Sequence, residues 1–382
     1  MIEINSEELK SGINRIIKAA RRADTREMQI HIQTLADQLV VYFENETISV
    51  EEKLPVIVKK EMRFTVSLNE LDSKVKALPK NTTIGLECRK DTFFFSWASR
   101  NSNLKLSTHS NETPFLTVPK AEKEIKWPAG MLQYITRYMA PFTSEQSAIE
   151  SQPSRAFLTG ISFSKNSSGA TIIKATDTHR GVGFTAAKLE WFENEVILNL
   201  NALKGVGEVI GNDKEITIGL SDKTRVIFKS GNSTVICKAM VGSMPDFLAY
   251  YKQDTPCKVY LDRLTVIELC ERVRLSSPTN PVIVFHAEKN KIYAEVQGVL
   301  KELIPGSVEG EMIPFAVNEK HLREASILLS MCGKDEEMAI FTEKSNTSLL
   351  SVGYEGFANV SIVVSQTRSQ YVAALSKNKE VS

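Results

Sequence analysis

Ile2-Glu3-Ile4-Asn5 alternates apolar and polar residues, and then the period changes. Leu9, Ile13, Ile16 and Ile17 recur at the three- and four-residue spacing of an amphipathic helix. The opening stretch therefore predicts a short strand running directly into a helix. Asn5 or Ser6 is placed to cap it, with Glu8 positioned for a capping box on Asn5. Lys10, Arg15 and Lys18 occupy the polar surface, and Arg21 and Arg22 follow the last turn.

The same change of period recurs. MRFTV leads into a helix bearing Leu71, Val75 and Leu78, with Ser67 to Glu70 as a capping box and Lys74 and Lys76 elsewhere on it. EIKW leads to Pro128, read as a first helical position, and then to Met131, Leu132, Ile135 and Met139. Three more units begin near 195, 257 and 312, the first closed by Gly211. The starts, near 1, 62, 124, 195, 257 and 312, are about sixty residues apart. Between the helices, strand patterns fall at 38–42, 47–52, 83–88, 92–97, 216–220, 225–229, 234–239, 281–285, 291–296, 339–342 and 349–352. Each repeat thus reads as a strand, a helix and roughly three strands.

One such repeat cannot cover both faces of its sheet, whereas two stacked repeats can, with their helices on one face. Pairing the units predicts an α+β protein of three similar domains, at 1–121, 122–253 and 254–382. The joins lie in TVPKAEKE and KQDTPC. The tail from 370 to 382 reads as a frayed terminus.

Composition excludes more than it identifies. No apolar run approaches the ~20 residues of a membrane helix, and the N-terminus shows no signal peptide pattern. Five widely spaced cysteines without a CxxC pair suggest a reduced, cytoplasmic protein without disulfides or structural zinc. The five histidines stand apart from one another and from the cysteines, so no metal site is expected. No phosphate-binding glycine loop or nucleophile elbow occurs, and no cofactor is expected.

A net charge of +1 does not announce a nucleic-acid binder, but distribution matters more than the sum. Basic residues recur on the helices: Arg21, Arg22 and Arg26 after the first, Lys74 and Lys76 on the second, Arg137 on the third and Lys204 on the fourth. Arg272, Arg274, Lys320 and Arg323 continue the series. For any one of them a solvated face is the plain reading. Their repetition on equivalent helices favours a surface for DNA phosphates, which is contacted without reading bases.

IIKATDTHRG is the most distinctive polar stretch. Read as strand neighbours, Asp177 and His179 share a face. They would then suit either an acid–base pair in a hydrolase or transferase, or a hydrogen-bonded pair holding a turn. The absence of a nucleophile motif favours the turn.

Several local patterns resemble the bacterial sliding clamp family, the beta subunit of the replicative DNA polymerase. They are MIEINSEELKSGINRI, KALPKNTTIGLE, LKLST, FLTGISF followed by KATDTHR, MPDF, PFAVNEKHL and VVSQTR, spread over nearly the whole chain. The resemblance implies the DNA-clamp fold, with three similar domains per subunit. It implies a head-to-tail homodimeric ring around double-stranded DNA, helices lining the hole, and no enzymatic activity. It further implies tethering of DNA polymerase and other clamp-binding proteins through short peptides, and opening by a clamp loader.

By the same resemblance, DNA contact falls to Arg22, Arg26, Lys76, Arg155 and Lys204. The peptide cleft falls to Leu158, Thr176, Thr178, His179, Arg180, Pro245, Val363, Val364 and Arg368. The dimer contact falls to Leu104, Leu106 and Leu275. The chain departs from the family at Gly181, where an aliphatic residue is usual, and at Ser365-Gln366-Thr367 and Ala249-Tyr250. It also departs in its tail from Ser369. These departures point to a divergent or second clamp, or to a clamp-fold interaction scaffold with altered partners.

Overall fold

The computed structural model describes residues 2–22, 28–58, 60–89, 91–98, 102–108, 118–211, 215–222, 224–277, 279, 281–289, 291–332, 337–343, 349–355, 359–367 and 372. Its helices are α1 (Ser6–Arg22), α2 (Leu68–Lys76), α3 (Met131–Met139), α4 (Gln146–Ile149), α5 (Leu200–Ile210), α6 (Arg263–Ser276) and α7 (Glu319–Cys332). All six predicted strand–helix starts are present. α1, α2, α3, α5, α6 and α7 each follow a strand: Ile2–Asn5, Arg63–Ser67, Lys123–Trp127, Val196–Asn199, Cys257–Asp262 and Phe315–Asn318.

The caps differ in detail from the sequence expectation. Asn5 accepts from the Glu7 N–H at 2.8 Å, so it serves the first turn of α1. Ser67 precedes α2 but makes no side-chain cap bond, and the Leu68 N–H is instead taken by the Met28 carbonyl at 2.9 Å. A backbone partner has replaced the expected capping box. Pro128 lies three residues before α3 and accepts from the Met131 N–H at 3.3 Å, so it makes the entry turn and not the first helical position. At α5 the expectation holds: Asn199 accepts from the Asn201 and Ala202 N–H groups, and Gly211 closes the helix at φ 73°.

The chain packs as two compact units, Met1–Arg137 with Glu190–Val241, and Tyr138–Leu189 with Gly242–Ser382. The first unit holds a five-stranded sheet in the order Ile57–Val58, Ile2–Asn5, Thr83–Arg89, Thr92–Trp97, Ser102–Ser107. It also holds an eight-stranded sheet in the order Lys123–Trp127, Ile216–Ser221, Arg225–Ser230, Ser233–Lys238, Ile48–Pro55, Gln38–Glu44, Gln29–Leu35, Arg63–Ser67. The larger sheet joins two parts of the chain through Ser233–Lys238, which pairs antiparallel with Ile48–Pro55 from Ser233↔Glu52 to Cys237↔Ile48. The apolar stripe of α1, namely Leu9, Ile13, Ile16 and Ile17, is buried in this unit, as the periodicity requires. At Gly205 of α5 an added Cβ would lie 3.1 Å from the Ile48 side chain, so the glycine lets α5 sit close against the strand Ile48–Pro55. Phe93 and Phe95 are core residues.

In the second unit one sheet runs Gly160–Lys165, Thr171–Thr176, Arg180–Ala186, Val360–Ser365, Leu349–Gly353, Glu337–Thr342, Cys257–Asp262, Gly306–Gly310. A four-stranded sheet runs Leu300–Ile304, Lys291–Val296, Val282–Glu288, Phe315–Asn318. Phe163, Ile173, Val182, Val259, Ile340 and Ile362 fill the core beneath the longer sheet. Of the tail only Val372 is described. It is buried and packs with Val284, Ala316 and Val282, so at this residue the expected fraying is replaced by a packed contact.

Candidate nucleic-acid face and partner cleft

In the first unit the C-terminal half of α1 gathers basic residues with those of α2 and α5. The exposed side of α1 carries Ser11, Arg15, Lys18 and Arg22 at helical spacing, opposite the buried stripe. Arg22 donates from Nε and Nη2 to Glu208 Oε1 at 3.3 and 3.1 Å, and Lys18 lies 3.9 Å from the same carboxylate. Lys204, one turn before Glu208 on α5, is half-buried; burial and the neighbouring Arg22 charge both push its ammonium below the ordinary lysine value. Arg21 and Lys76 converge on Asp72 at 2.6 and 2.8 Å. Arg15 pairs with Glu52, which is itself buried and accepts from Ser233 Oγ at 2.6 Å. A cavity of about 570 Å³ opens here, lined by Ser11, Arg15, Glu52 and Glu208 among others.

Three of the sequence-predicted DNA residues, Arg22, Lys76 and Lys204, therefore belong to one helical face of this unit. Arg155 is exposed in the second unit, in the seven-residue 3₁₀ segment Pro153–Thr159. Arg26 lies outside the described residues. What the sequence reading did not anticipate is that Arg22 and Lys76 are paired with carboxylates of the same unit. A signal was available at Asp72, which stands four residues before Lys76 on α2.

The second unit contains the predicted cleft residues. Asp177, Thr178 and His179 form the turn between Thr171–Thr176 and Arg180–Ala186, with Thr178 at φ 77°. Asp177 and His179 are thus not strand neighbours sharing a face. The Asp177 carboxylate accepts the backbone N–H groups of His179 and Arg180, both at 2.9 Å, and Arg180 Nε at 3.1 Å. It holds the turn through backbone bonds, not through the imidazole. Thr176 closes the same turn, donating from Oγ1 to the Arg180 carbonyl at 2.6 Å.

Arg180 is only 5% exposed. Its guanidinium is satisfied by Asp177, by Glu324 of α7 and by the Pro141 carbonyl, and lies over the Phe142 ring. His179 is exposed and stacks on His321 with ring centroids 6.3 Å apart. Burial, aided by the Arg180 charge, pushes the His321 imidazole down to about 4.

Leu158, Val363 and Val364 are buried, while Thr178, His179 and Pro245 are exposed. Arg368 lies outside the described residues. Gly181 and Gly183 share one face of their strand. An added Cβ at the first would sit 2.5 Å from the Phe247 ring, and at the second 2.5 Å from a Leu248 methyl. Phe247 and Leu248, at the start of the 3₁₀ segment Phe247–Tyr250, thus cover the place where an aliphatic side chain was expected. A smaller cavity of about 230 Å³ lies beside Tyr250, Lys252, Phe341, Leu349 and Ser351. Ser351 pairs across the sheet with Val363, so the cavity flanks the predicted cleft. The sequence reading noted Tyr250 as a departure and 349–352 as a strand but assigned no site to them, although the alternation at Leu349 and Ser351 places those two on one face.

Of the predicted interface leucines, Leu106 is buried against its own sheet, opposite Phe93. Leu104 is half-buried on the edge strand Ser102–Ser107, and Leu275 near the end of α6 is 79% exposed.

Repeated strand–helix units, antiparallel sheets and helices that bury one stripe while presenting a polar face make an α+β protein with the sliding-clamp fold. The particular likeness is to bacterial sliding clamps, which carry the chain's fold. The beta sliding clamp of Bacillus subtilis (strain 168) is 20% identical over 343 residues, 84% of this chain and 88% of that protein. The solved structure of the Bacillus subtilis DNA polymerase sliding clamp superposes with a TM-score of 0.82 at 19% identity, covering 96% of this chain and 99% of that one. The DNA polymerase III subunit beta of Pseudomonas aeruginosa gives 0.83 at 16% identity, covering 97% and 100%. The chain matches no family model. The relatives' names agree with the expectation of a clamp. Among the described residues, no helix is long and apolar enough to cross a membrane.

Proposed function

We propose that the chain is a divergent sliding clamp. Two copies close head to tail into a ring around duplex DNA, without sequence preference. The ring tethers a DNA polymerase and other DNA-processing proteins, and a clamp loader opens it in the cytoplasm. The observation that carries this reading is the overlap with the Bacillus subtilis clamp across 99% of that chain, joined to detectable sequence similarity along most of its length. Three domains, 1–121, 122–253 and 254–382, follow from the paired repeats.

In this reading Arg22, Arg26, Lys76, Lys204 and Arg155 face the DNA. Thr178, His179, Pro245, Val363, Val364 and Arg368 border the partner cleft, with Leu158, Thr176 and Arg180 as its foundation. The leucine Leu275 of one copy meets Leu104 of the other, with Leu106 beneath it, and closure removes two exposed sheet edges.

The test is topological. Protein loaded on a nicked circular plasmid should stay bound through a high-salt wash and be released when the plasmid is linearised. Retention on linear DNA, or a strictly monomeric protein, would overturn the ring. A clamp-fold scaffold with altered partners is the second reading, favoured by the covering of Gly181 by Phe247. Primer extension with and without the protein separates the two, since a scaffold leaves product length unchanged.

A further inference from the structure

The cations on the exposed side of α1 are held by carboxylates from other elements, but in two different ways. Asp72, which takes Arg21 and Lys76, has a side chain only 7% exposed, and Glu52, which takes Arg15, is 1% exposed. In these pairs the carboxylate belongs to the packed interior of the unit, while the cations Arg15, Arg21 and Lys76 reach it from the surface. Glu208 differs. Its side chain is 27% exposed, and its partners Arg22 and Lys18 are 54% and 64% exposed. The Arg22 fork places Nε and Nη2 on a single carboxylate oxygen, while Lys18 approaches the other from 3.9 Å. A backbone phosphate oxygen would be held between a guanidinium and an ammonium in the same way.

We propose that Glu208 is an internal substitute for a DNA phosphate. It occupies Arg22 and Lys18 when no duplex is present and competes for them when one is. The inference rests on the reading that this face meets DNA, and it adds a reason why the contact stays weak. A phosphate that binds at Arg22 and Lys18 must displace the Glu208 carboxylate already in place, so the gain at that contact is a difference between two similar ion pairs. Lys204 strengthens the competition, because its charge sits one turn from Glu208 and beside Arg22. A ring that has to move along DNA needs contacts that exchange readily, and a tethered anion supplies the exchange partner at fixed local concentration.

The experiment measures binding of the full-length protein to a short fluorescent linear duplex over a range of salt concentrations. Glu208→Gln, which keeps the shape and removes the charge, should tighten binding about 3- to 10-fold at low salt. It should also steepen the slope of log affinity against log salt by about 0.9 for each phosphate newly engaged. Glu208→Asp, which restores a carboxylate, should return both towards the parent values. Arg22→Gln should weaken binding. If Glu208→Gln changes neither affinity nor slope while Arg22→Gln weakens binding, the face still meets DNA and the role given to Glu208 is wrong. If neither variant changes binding, the DNA face itself is wrong and the inference falls with it.

Discussion

The carboxylate of Asp72 lies under two cations, Arg21 from α1 and Lys76 from its own helix. Burial by itself would raise its pKa, but the hydrogen bonds from Lys76 and Arg21 outweigh it and leave the group below the ordinary aspartate value. A depressed folded pKa gives stabilisation that is fully present above the unfolded value, about 4. That stabilisation is lost as the pH falls through the folded value. Asp72→Asn should therefore cost roughly 1.5–3 kcal/mol at neutral pH, the range for hydrogen bonds to a charged group. The difference in melting temperature from the parent should shrink as the pH drops below 4. A gap independent of pH would mean that packing of the side chain, and not its charge, is what matters.

At the scale of elements, the strand Arg180–Ala186 shows where a sequence pattern can be read and where it cannot. Its turn was legible: Asp at 177 followed by polar residues is a turn former, and the side chain binds the backbone as such residues do. The geometry assigned to His179 was not, because a period of two cannot show where a strand stops. Gly181 and Gly183 were visible as departures, yet a sequence does not say what fills the space a glycine leaves. Phe247 and Leu248 fill it from more than sixty residues away. Gly181→Leu should force the Phe247 ring off the strand at a cost of about 1–3 kcal/mol, as overpacking does. Amide hydrogen exchange across 245–251 should then quicken, with Gly181→Ala giving a smaller change. Unaltered exchange in both variants would show that the ring yields without moving its segment.

The strands Leu300–Ile304 and Gly306–Gly310 were missed for a related reason. Gly306–Gly310 has little apolar alternation and is mostly exposed, so its place is set by backbone pairing with Cys257–Asp262 and not by burial. The strand–helix starts, by contrast, were legible because each carries both periods in succession. The ion pairs of Arg22 with Glu208 and of Arg21 with Asp72 escaped because charge partners on different helices leave no periodic trace.

At the scale of the whole molecule, the repeats predicted an α+β architecture, the local resemblance implied the clamp fold, and the fold agrees with both. Leu275 is a large apolar side chain with 79% of its surface exposed. Leu275→Lys should convert the proposed ring to monomers in light scattering, with the melting temperature of each subunit little changed because the substitution disturbs no core. A dimer that persists would move the interface elsewhere.

The ladder between Ser233–Lys238 and Ile48–Pro55 has a mechanical meaning beyond its role in folding. Its hydrogen bonds run from Ser233↔Glu52 to Cys237↔Ile48, perpendicular to both strands. The Glu52 carboxylate, fastened to Ser233 and Arg15, sits at one end as a rivet. Tension applied along the strands loads all of these bonds in shear, so they must fail together and cannot unzip one at a time. Within the first unit this seam is a stiff joint, and a subunit built on it would pass strain on to its boundaries instead of yielding in the middle.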